Sequence, residues 1–557
     1  MVATPDIWRE DFRHPGAWDR SYAPLSVPQM FSDSAARNPD AYLADFMGRK
    51  YSYADVRSAV NRVACGLQRM GYGKGDHIGL FLPNVPHYLA AYYGIMKTGA
   101  TAVNFSPLYT ATELAHQVED SGTRLLFTLS ASALFPTALE VMENSSLDRL
   151  VVGSVGGALP FAKSLLYGLF RRKDYVRLPK REDVIPFSRL IDNDGHVERV
   201  SLDPRKDIAL LQYTGGTTGR PKGAMLTHQN ITANARQVND LDPDQEAEDR
   251  ILGVLPFFHV FANACVLNRT VVRGGEIVML PRFNAAQALK TIARTKVTAL
   301  PGVPTMYTAL LDHPKTPTTD FSSLRMCISG GAPLPIETKA KFEEITGAKL
   351  VEGYGLTESA GVVSTNPYEG ENKTGSIGQP CAATIVKLID KEDPTQPAGE
   401  GEPGEIVIAG PQVMQGYWNR PDADERAFVD GFLRTGDVGT IDEDGYIFIV
   451  DRLKDMIAVS GFKVFPSQVE DVLYTHPEVK EALVIGVPDA YTGERPKAFV
   501  TLARGAAATG DMLTQWLNAQ LGKHERVTAV VIRDELPKTM IGKLDRKALR
   551  AEESASS

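Results

Sequence analysis

Cysteine is scarce: in 557 residues there are four, Cys65, Cys265, Cys327 and Cys381, far apart and without a Cys-x-x-Cys pair. A disulfide framework and a thiolate metal site are both disfavoured, and a reducing cytoplasm fits best. No run of about 18 uncharged apolar residues occurs, so a membrane-spanning helix is not expected. The opening stretch MVATPDIWREDFRHPG mixes Asp6, Glu10 and Asp11 with few apolar residues and offers no signal-peptide core. Positive charge is not in excess either. Lys+Arg number 60 against 68 Asp+Glu, a formal charge of −8, which disfavours sequence-blind attachment to nucleic acid. Internal repeats and low-complexity tracts are missing.

What remains is an ordinary water-soluble balance, 43% hydrophobic and 23% charged. At roughly 100–200 residues per domain the length allows about three to five units, fewer where one large α/β body forms. Short apolar runs at His77 to Leu82, Leu125 to Leu129 and Leu150 to Gly153 alternate with helical stretches at Tyr53 to Met70 and Tyr88 to Lys97. That rhythm predicts parallel sheets covered by helices, an α/β body. Asp207 to Tyr213 is apolar on both alternating faces, as a buried strand should be, and runs directly into a Gly/Thr cluster. Residues 391–404, KEDPTQPAGEGEPG, predict an exposed connection. Strands are expected at Glu405 to Ile408, Tyr446 to Val450 and Met456 to Val459. From about residue 455 the pattern continues as helix (Ser467 to Thr475), strands (Ala482 to Val487, Ala498 to Leu502) and helix (Met512 to Leu521), a small α+β tail.

The Gly/Thr cluster is Thr214-Gly-Gly-Thr-Thr-Gly-Arg-Pro-Lys-Gly223. Gly215, Gly216 and Gly219 let backbone N–H groups turn toward one anion, Thr214, Thr217 and Thr218 add hydroxyl donors, and Lys222 adds a point charge. That suits a polyphosphate; the plain alternative is a Gly-rich hairpin without a ligand. The spacing is not that of a Walker loop, which disfavours a P-loop ATPase or kinase. In Glu352-Gly353-Tyr354-Gly355-Leu-Thr357-Glu358 the glycines permit close backbone approach, Tyr354 offers a flat face to a base, and Thr357 and Glu358 supply hard oxygens suited to Mg²⁺ on phosphates. A surface turn with a solvated Glu is the alternative. Gly331-Ala332-Pro333, after Ser329-Gly330, is a bare edge that can receive a planar ring. An Asp after a tight turn, as in Thr435-Gly-Asp437, can take both hydroxyls of a ribose, and Arg452 in Asp451-Arg-Leu-Lys454-Asp455 can bridge ribose and phosphate. Lys543, after Gly542, is a lysine that a loop could present. Taken singly, these last three read as a turn, a surface charge cluster and a solvated lysine.

In this order, with Ser460-Gly461-Phe-Lys-Val-Phe-Pro-Ser-Gln-Val-Glu-Asp following the Asp451 motif, the segments resemble the adenylate-forming superfamily of acyl-CoA synthetases, firefly luciferase and peptide-synthetase adenylation domains. The resemblance runs from about residue 27 to about 550. Asn104-Phe-Ser-Pro-Leu-Tyr, Asn366-Pro-Tyr, Gly375-Ser-Ile-Gly and Gly410-Pro-Gln-Val-Met-Gln-Gly-Tyr-Trp make it most similar to bacterial long-chain fatty acid–CoA ligases.

The resemblance implies a reaction in two halves. A fatty carboxylate attacks the α-phosphorus of ATP, giving acyl-AMP and pyrophosphate; coenzyme A then displaces AMP to give a thioester. Two anions must meet, and a unit-charge contact near 4 Å is worth about 4 kcal/mol at an effective dielectric of 20, so cations must converge on the site. By resemblance the 214–219 loop and Lys222 hold the β/γ-phosphates, Thr357 contacts the α-phosphate, Glu358 takes Mg²⁺, and Lys543 reaches both the carboxylate and the α-phosphate. Adenine then lies beside Gly331, Ala332 and Pro333 and near Glu352, Gly353, Tyr354 and Gly355, with ribose on Asp437 and Arg452 nearby. His259, in Leu255-Pro-Phe-Phe-His-Val-Phe, matches a wall on the carboxylate side; a packed core histidine is the alternative.

A body over 1–453 and a small mobile lid over 454–557 follow from the same resemblance. The lid pivots at Lys454, withdrawing Lys543 and bringing Ser460 and Gly461 toward the coenzyme A channel. Val254 to Val266 and Thr298 to Tyr307 are candidate walls of the acyl slot. Residues 161–181 carry seven Lys/Arg against one Asp beside Leu165, Leu166, Leu169 and Phe170, and can rest on an anionic membrane surface or serve as a solvated helix. The reading leaves room for a homodimer and involves no nucleic acid. The chain departs from the family pattern at Met540-Ile541, where Ser or Thr is common, and at Lys523-His-Glu-Arg-Val, an imperfect match to a Lys-Val-Pro element. Rival readings are a ligase for a medium-chain, branched or aromatic acid, a fatty acyl-AMP ligase serving a carrier protein, and a non-catalytic acyl or nucleotide binder.

Overall fold

Buried strands and capped helices form where the apolar runs lie. The computed structural model describes residues 7–160, 175–214, 221–460, 462–489, 491–539 and 543–556; most of the basic segment 161–181, the loop residues 215–220 and Gly461 lie outside the described residues. Contacts divide the chain into a body, Trp8–Thr384 with Gly410–Arg426, and a C-terminal unit containing Ile385–Ala409 and Ala427–Ser557. This grouping places Ile385–Ala409 and the residues from Ala427 to Leu453 with the tail.

In the body, helix Tyr53–Arg69 begins where Ser52 Oγ accepts from the Asp55 N–H and the Asp55 carboxylate accepts from the Ser52 N–H. The same reciprocal cap, Thr227 with Asn230, starts helix His228–Asp240 directly after strand Lys222–Thr227. An eight-stranded sheet runs in the order Gly416–Tyr417, Lys222–Thr227, Ile208–Thr214, Thr101–Asn104, His77–Leu80, Thr123–Leu129, Arg149–Gly153, Val184–Pro186. From Ile208–Thr214 onward its strands are parallel, and the first two pairings are antiparallel. A nine-stranded sheet likewise has a parallel centre, including Arg250–Gly253, Ala299–Gly302, Met326–Gly330 and Lys349–Tyr354, with antiparallel pairings toward its edges. Thr101–Asn104, Ala299–Gly302 and Met326–Gly330 are buried throughout, which explains their near-continuous apolar sequence.

The C-terminal unit holds two five-stranded sheets. The first pairs Ile385–Ile389, Gly404–Ala409, Phe432–Ile441 and Ile447–Arg452 in antiparallel fashion, and the Pro/Gly/acid stretch 391–404 links its first two strands, as expected of an exposed connection. The second is built on the long pair Val479–Asp489 and Gly493–Leu502. It closes an apolar core of its own, with Ile457, Val469, Leu473, Val484, Val500, Leu513 and Leu517. Among the described residues no helix is long and apolar enough to cross a membrane.

Candidate active site

Strands Ile208–Thr214 and Lys222–Thr227 form a hairpin in which Thr214 lies opposite Lys222. The expected phosphate cradle therefore sits at the hairpin's tip. Its posts, Thr214 and Lys222, are half-buried; Gly215, Gly216, Thr217, Thr218 and Gly219 lie outside the described residues. A buried polar chain anchors the first post: Asn104 Nδ2 donates to Gln212 Oε1 (3.0 Å), and the Tyr88 hydroxyl lies 2.8 Å from Asn104 Oδ1 and 3.0 Å from the Phe257 carbonyl. Strand 208–214 and the segment leading to His259 are thus held by one core network.

Strands Met326–Gly330 and Lys349–Tyr354 run parallel with Gly330 opposite Gly353, so Gly331 to Pro333 and Gly355 to Glu358 leave the same sheet edge at the carboxyl ends of their strands. That is where ligands of open α/β sheets bind. Gly331, Ala332 and Pro333 are exposed or half-exposed there. At Gly355 a β-carbon would lie 1.6 Å from the Gly361 carbonyl oxygen, so only glycine fits this turn. Thr357 and Glu358 follow on a single 3₁₀ turn, Thr357–Ser359. Withdrawal from solvent pushes the Glu352 carboxyl up to about 8, a hydrogen bond with the Leu334 backbone opposing it, so this side chain is mostly neutral at pH 7. Half-buried Tyr354 completes the strand end.

His259 caps the turn Val260–Ala262, its Nδ1 accepting from the Phe261 N–H at 3.3 Å. Phe261 packs on Gly330, where an added β-carbon would sit 3.1 Å from its ring, so this turn lies against the same edge. The chain then widens into a π-helix, Asn263–Asn268, a distortion common at functional sites. The two expected acyl walls meet here: Cys265 from one and Ala299 and Pro301 from the other line a cavity of about 20 Å³ together with Ile328, Arg269 and Tyr368. That volume suits one water-sized group. Arg269 is buried and held by Asp249 and by Asp242 (3.1 Å), and Arg325 grips Asp242 at 2.8 and 2.6 Å.

Sequence reasoning did not single out Tyr417. Its hydroxyl donates to Glu358 Oε1 at 2.6 Å, and its ring lies 4.0 Å beneath Lys222 Nζ. Burial, then the Glu358 charge, push the phenol well above its ordinary value. The available signal was the Gly416-Tyr-Trp string itself: Gly416 adopts φ +152° where a β-carbon would strike the Asp424 carboxylate, and that carboxylate accepts from the Tyr417 N–H at 2.7 Å.

In the C-terminal unit Asp437 and Arg452 are cross-strand partners, and Arg452 Nε donates to Asp437 Oδ1 at 3.0 Å. The Asp437 N–H is held by Thr435 Oγ1 at 3.1 Å, which closes the Thr-Gly-Asp turn. Lys543 is near enough to feel both charges: withdrawal from solvent, then the Arg452 guanidinium, push its ammonium down to about 8, with Asp437 opposing. These three expected residues therefore converge. Lys454 is exposed on the turn Leu453–Asp455, and Ser460, at φ +50°, donates its N–H to the Thr492 carbonyl at 2.8 Å; Gly461 lies outside the described residues. Three residues beyond Lys543, Arg546 donates to both Glu470 oxygens (2.6 and 2.5 Å) and lies 3.7 Å from Asp455.

Among the described residues no group of three or more His, Cys, Asp or Glu is arranged to hold a metal ion. The donor set instead suits Mg²⁺ that arrives on a nucleotide and keeps phosphate and water ligands. Glu358 Oε2 has no protein partner among the described residues, and the Thr357 hydroxyl is on the same turn.

Comparison with known proteins agrees with this geometry. The model of the AMP-binding enzyme family matches residues 31–418, and that of the AMP-binding enzyme C-terminal domain matches 468–543. The chain is 41% identical over 533 residues to a long-chain-fatty-acid–CoA ligase of Bacillus subtilis (strain 168), covering 95% of each chain. ATP-bound MatB from Rhodopseudomonas palustris superposes with TM-score 0.82 at 28% identity, covering 95% of this chain and 99% of that one. O-succinylbenzoate coenzyme A synthetase from B. subtilis, solved with ATP and magnesium ion, superposes with TM-score 0.76 at 28% identity, covering 94% and 99%. The chain belongs to the AMP-binding enzyme family, the adenylate-forming acyl-CoA synthetases.

Proposed function

We propose that the protein is an ATP-dependent long-chain fatty acid–CoA ligase that forms acyl-AMP and then acyl-CoA, releasing pyrophosphate and AMP. The observation that carries this reading is the placement of Lys222, Thr357, Glu358 and the Gly331–Pro333 edge around neighbouring strand ends, in a chain 41% identical to a ligase of that name. ATP and coenzyme A are co-substrates.

In the first half, Thr214, Lys222 and the N–H groups of 215–219 take the β- and γ-phosphates, and Thr357 donates to the α-phosphate. Glu358 and Thr357 would hold Mg²⁺, which offsets phosphate charge when bound. Adenine rests against Gly331 to Pro333 and Tyr354, and the neutral Glu352 can donate as well as accept beside it. Asp437 accepts from ribose, with Arg452 alongside. Lys543 draws the fatty carboxylate and the α-phosphate together, and its charge is worth most in a site that excludes water. His259 shields the carboxylate side, and the acyl tail enters between the Cys265 and Ala299 walls, which must part to admit more than a water-sized group.

In the second half, residues 454–557 act as a lid that pivots at Lys454 and exchanges Lys543 for Ser460 and Gly461 beside the pantetheine thiol. Asp455 and Glu470, gripping Arg546, support this reading by tying the pivot motif to the segment that carries Lys543. The basic segment 161–181 makes reversible contact with anionic membrane; salt-sensitive flotation with phosphatidylglycerol vesicles tests it. For the activity itself, the test is a chain-length series of acids with ATP, Mg²⁺ and coenzyme A. Long-chain acyl-CoA formation is expected; preference for aromatic or short acids overturns the substrate assignment.

A further inference from the structure

Two motifs far apart in the sequence, the phosphate hairpin and the Thr357–Glu358 turn, are stitched together by Met414 to Trp418. The Met414 N–H donates to the Glu358 carbonyl (2.8 Å), the Gln415 N–H to the Met225 carbonyl (3.0 Å) and the Trp418 N–H to the Gly223 carbonyl (2.8 Å). Strand Gly416–Tyr417 pairs with the hairpin's return strand, Tyr417 opposite Ala224. This backbone lacing aims one side chain at both motifs. The Tyr417 hydroxyl donates to Glu358 Oε1 at 2.6 Å, while its ring carries Lys222 Nζ at 4.0 Å.

We infer that Tyr417 is a positioning residue that presets the metal-facing carboxylate and the phosphate-facing lysine together, before nucleotide arrives. The inference rests on the reading of Glu358 and Lys222 given above. A phenol suits this role because it binds a carboxylate through one hydrogen and leaves the second oxygen open, and its face holds an ammonium without neutralising it. An acidic side chain in its place would pair with Lys222 and repel Glu358; an aliphatic one would hold neither.

The two contacts can be removed separately. Tyr417→Phe keeps the ring and deletes the hydroxyl; Tyr417→Leu deletes both. ATP binding to the full-length protein is measured by calorimetry in EDTA and across a Mg²⁺ titration, alongside thermal stability and the KM and kcat of pyrophosphate exchange. For Tyr417→Phe the expected result is unchanged binding in EDTA and a half-saturating Mg²⁺ concentration raised roughly tenfold, the scale of a hydrogen bond to a charged group. Tyr417→Leu should in addition weaken binding in EDTA by about fivefold as Lys222 loses its platform. Glu358→Gln serves as the reference and should abolish the Mg²⁺ enhancement. If Glu358→Gln does so and Tyr417→Phe leaves the Mg²⁺ titration untouched, the positioning role is overturned while the reading of Glu358 stands. If Tyr417→Phe weakens binding equally with and without Mg²⁺ and lowers the melting temperature, Tyr417 is a packing residue and the inference is again overturned. An unaltered Mg²⁺ response in Glu358→Gln overturns both.

Discussion

In the body, one phenol takes up a carboxylate and an ammonium at once, whereas in the C-terminal unit Lys543 lies beside another cation, Arg452, and its own charge is disfavoured. The first cluster is balanced without substrate. The second is under load: withdrawal from solvent and then Arg452 disfavour the ammonium while Asp437 opposes them, and an arriving anion would relieve it. On the proposed reading the body's groups would hold a nucleotide, and Lys543 would gain most when a phosphate and a carboxylate come within reach. That is the behaviour wanted of a group that acts chiefly in the transition state.

The largest test of this contrast is Lys543→Ala. Acyl-AMP formation should fall on the order of a thousandfold, as expected for removal of a charge aimed at the reacting oxygens, while thioester formation from supplied acyl-AMP persists. Single-turnover kinetics on the two halves check this, and unimpaired adenylation would falsify the division of labour. Next in size is Glu470→Ala. Stripping Arg546 of its carboxylate should destabilise the C-terminal unit by about 3 kcal/mol. Urea unfolding should then show an early transition for that unit with the body's transition unmoved; a single shifted transition would mean that the two units unfold as one.

Filling the body's apolar cavity is a milder perturbation. Ala299→Val, a small enough addition for a cavity of about 20 Å³, should cut kcat/KM for the longest acids and spare short ones, at about 0.8 kcal/mol, or roughly fourfold, per methylene excluded. A uniform loss across the chain-length series would place the tail elsewhere. The smallest expected effect concerns pH. Because Lys543 loses its proton above about 8, kcat/KM for adenylation should decline as pH rises through that value. Arg452→Gln removes the neighbouring cation and should move the falling limb upward by up to about one pH unit, even as the overall rate drops. A limb that stays put would show that Arg452 does not load the lysine.

Much of this was legible in the sequence because the signals are local. The buried strand before Thr214, the glycine cluster at 353–355 and the tail's helix–strand order are written in contiguous residues, and the observed strands Ile208–Thr214, Gly404–Ala409 and Val479–Asp489 lie where the patterns put them or close by. Asp437, Arg452 and Lys543 stand in recognisable motifs, and Arg452 pairs with Asp437 while both act on the charge of Lys543. What escaped depends on tertiary pairing. Tyr417 meets Glu358 across 59 residues, which no periodicity encodes. The upward push on the Glu352 carboxyl arises from withdrawal from solvent that the neighbouring Gly353 does not announce. The narrowness of the cavity between Cys265 and Ala299, and the buried Asp242–Arg269–Asp249 knot beside it, reflect packing among separate segments.

The central claim is that this architecture lets a fatty carboxylate attack the α-phosphorus of ATP. Exchange of labelled pyrophosphate into ATP, measured with Mg²⁺ but without coenzyme A, tests it most directly. The account predicts exchange that requires a long-chain fatty acid and disappears in Lys543→Ala; absence of exchange with every acid supplied, or exchange undiminished in that variant, would contradict it.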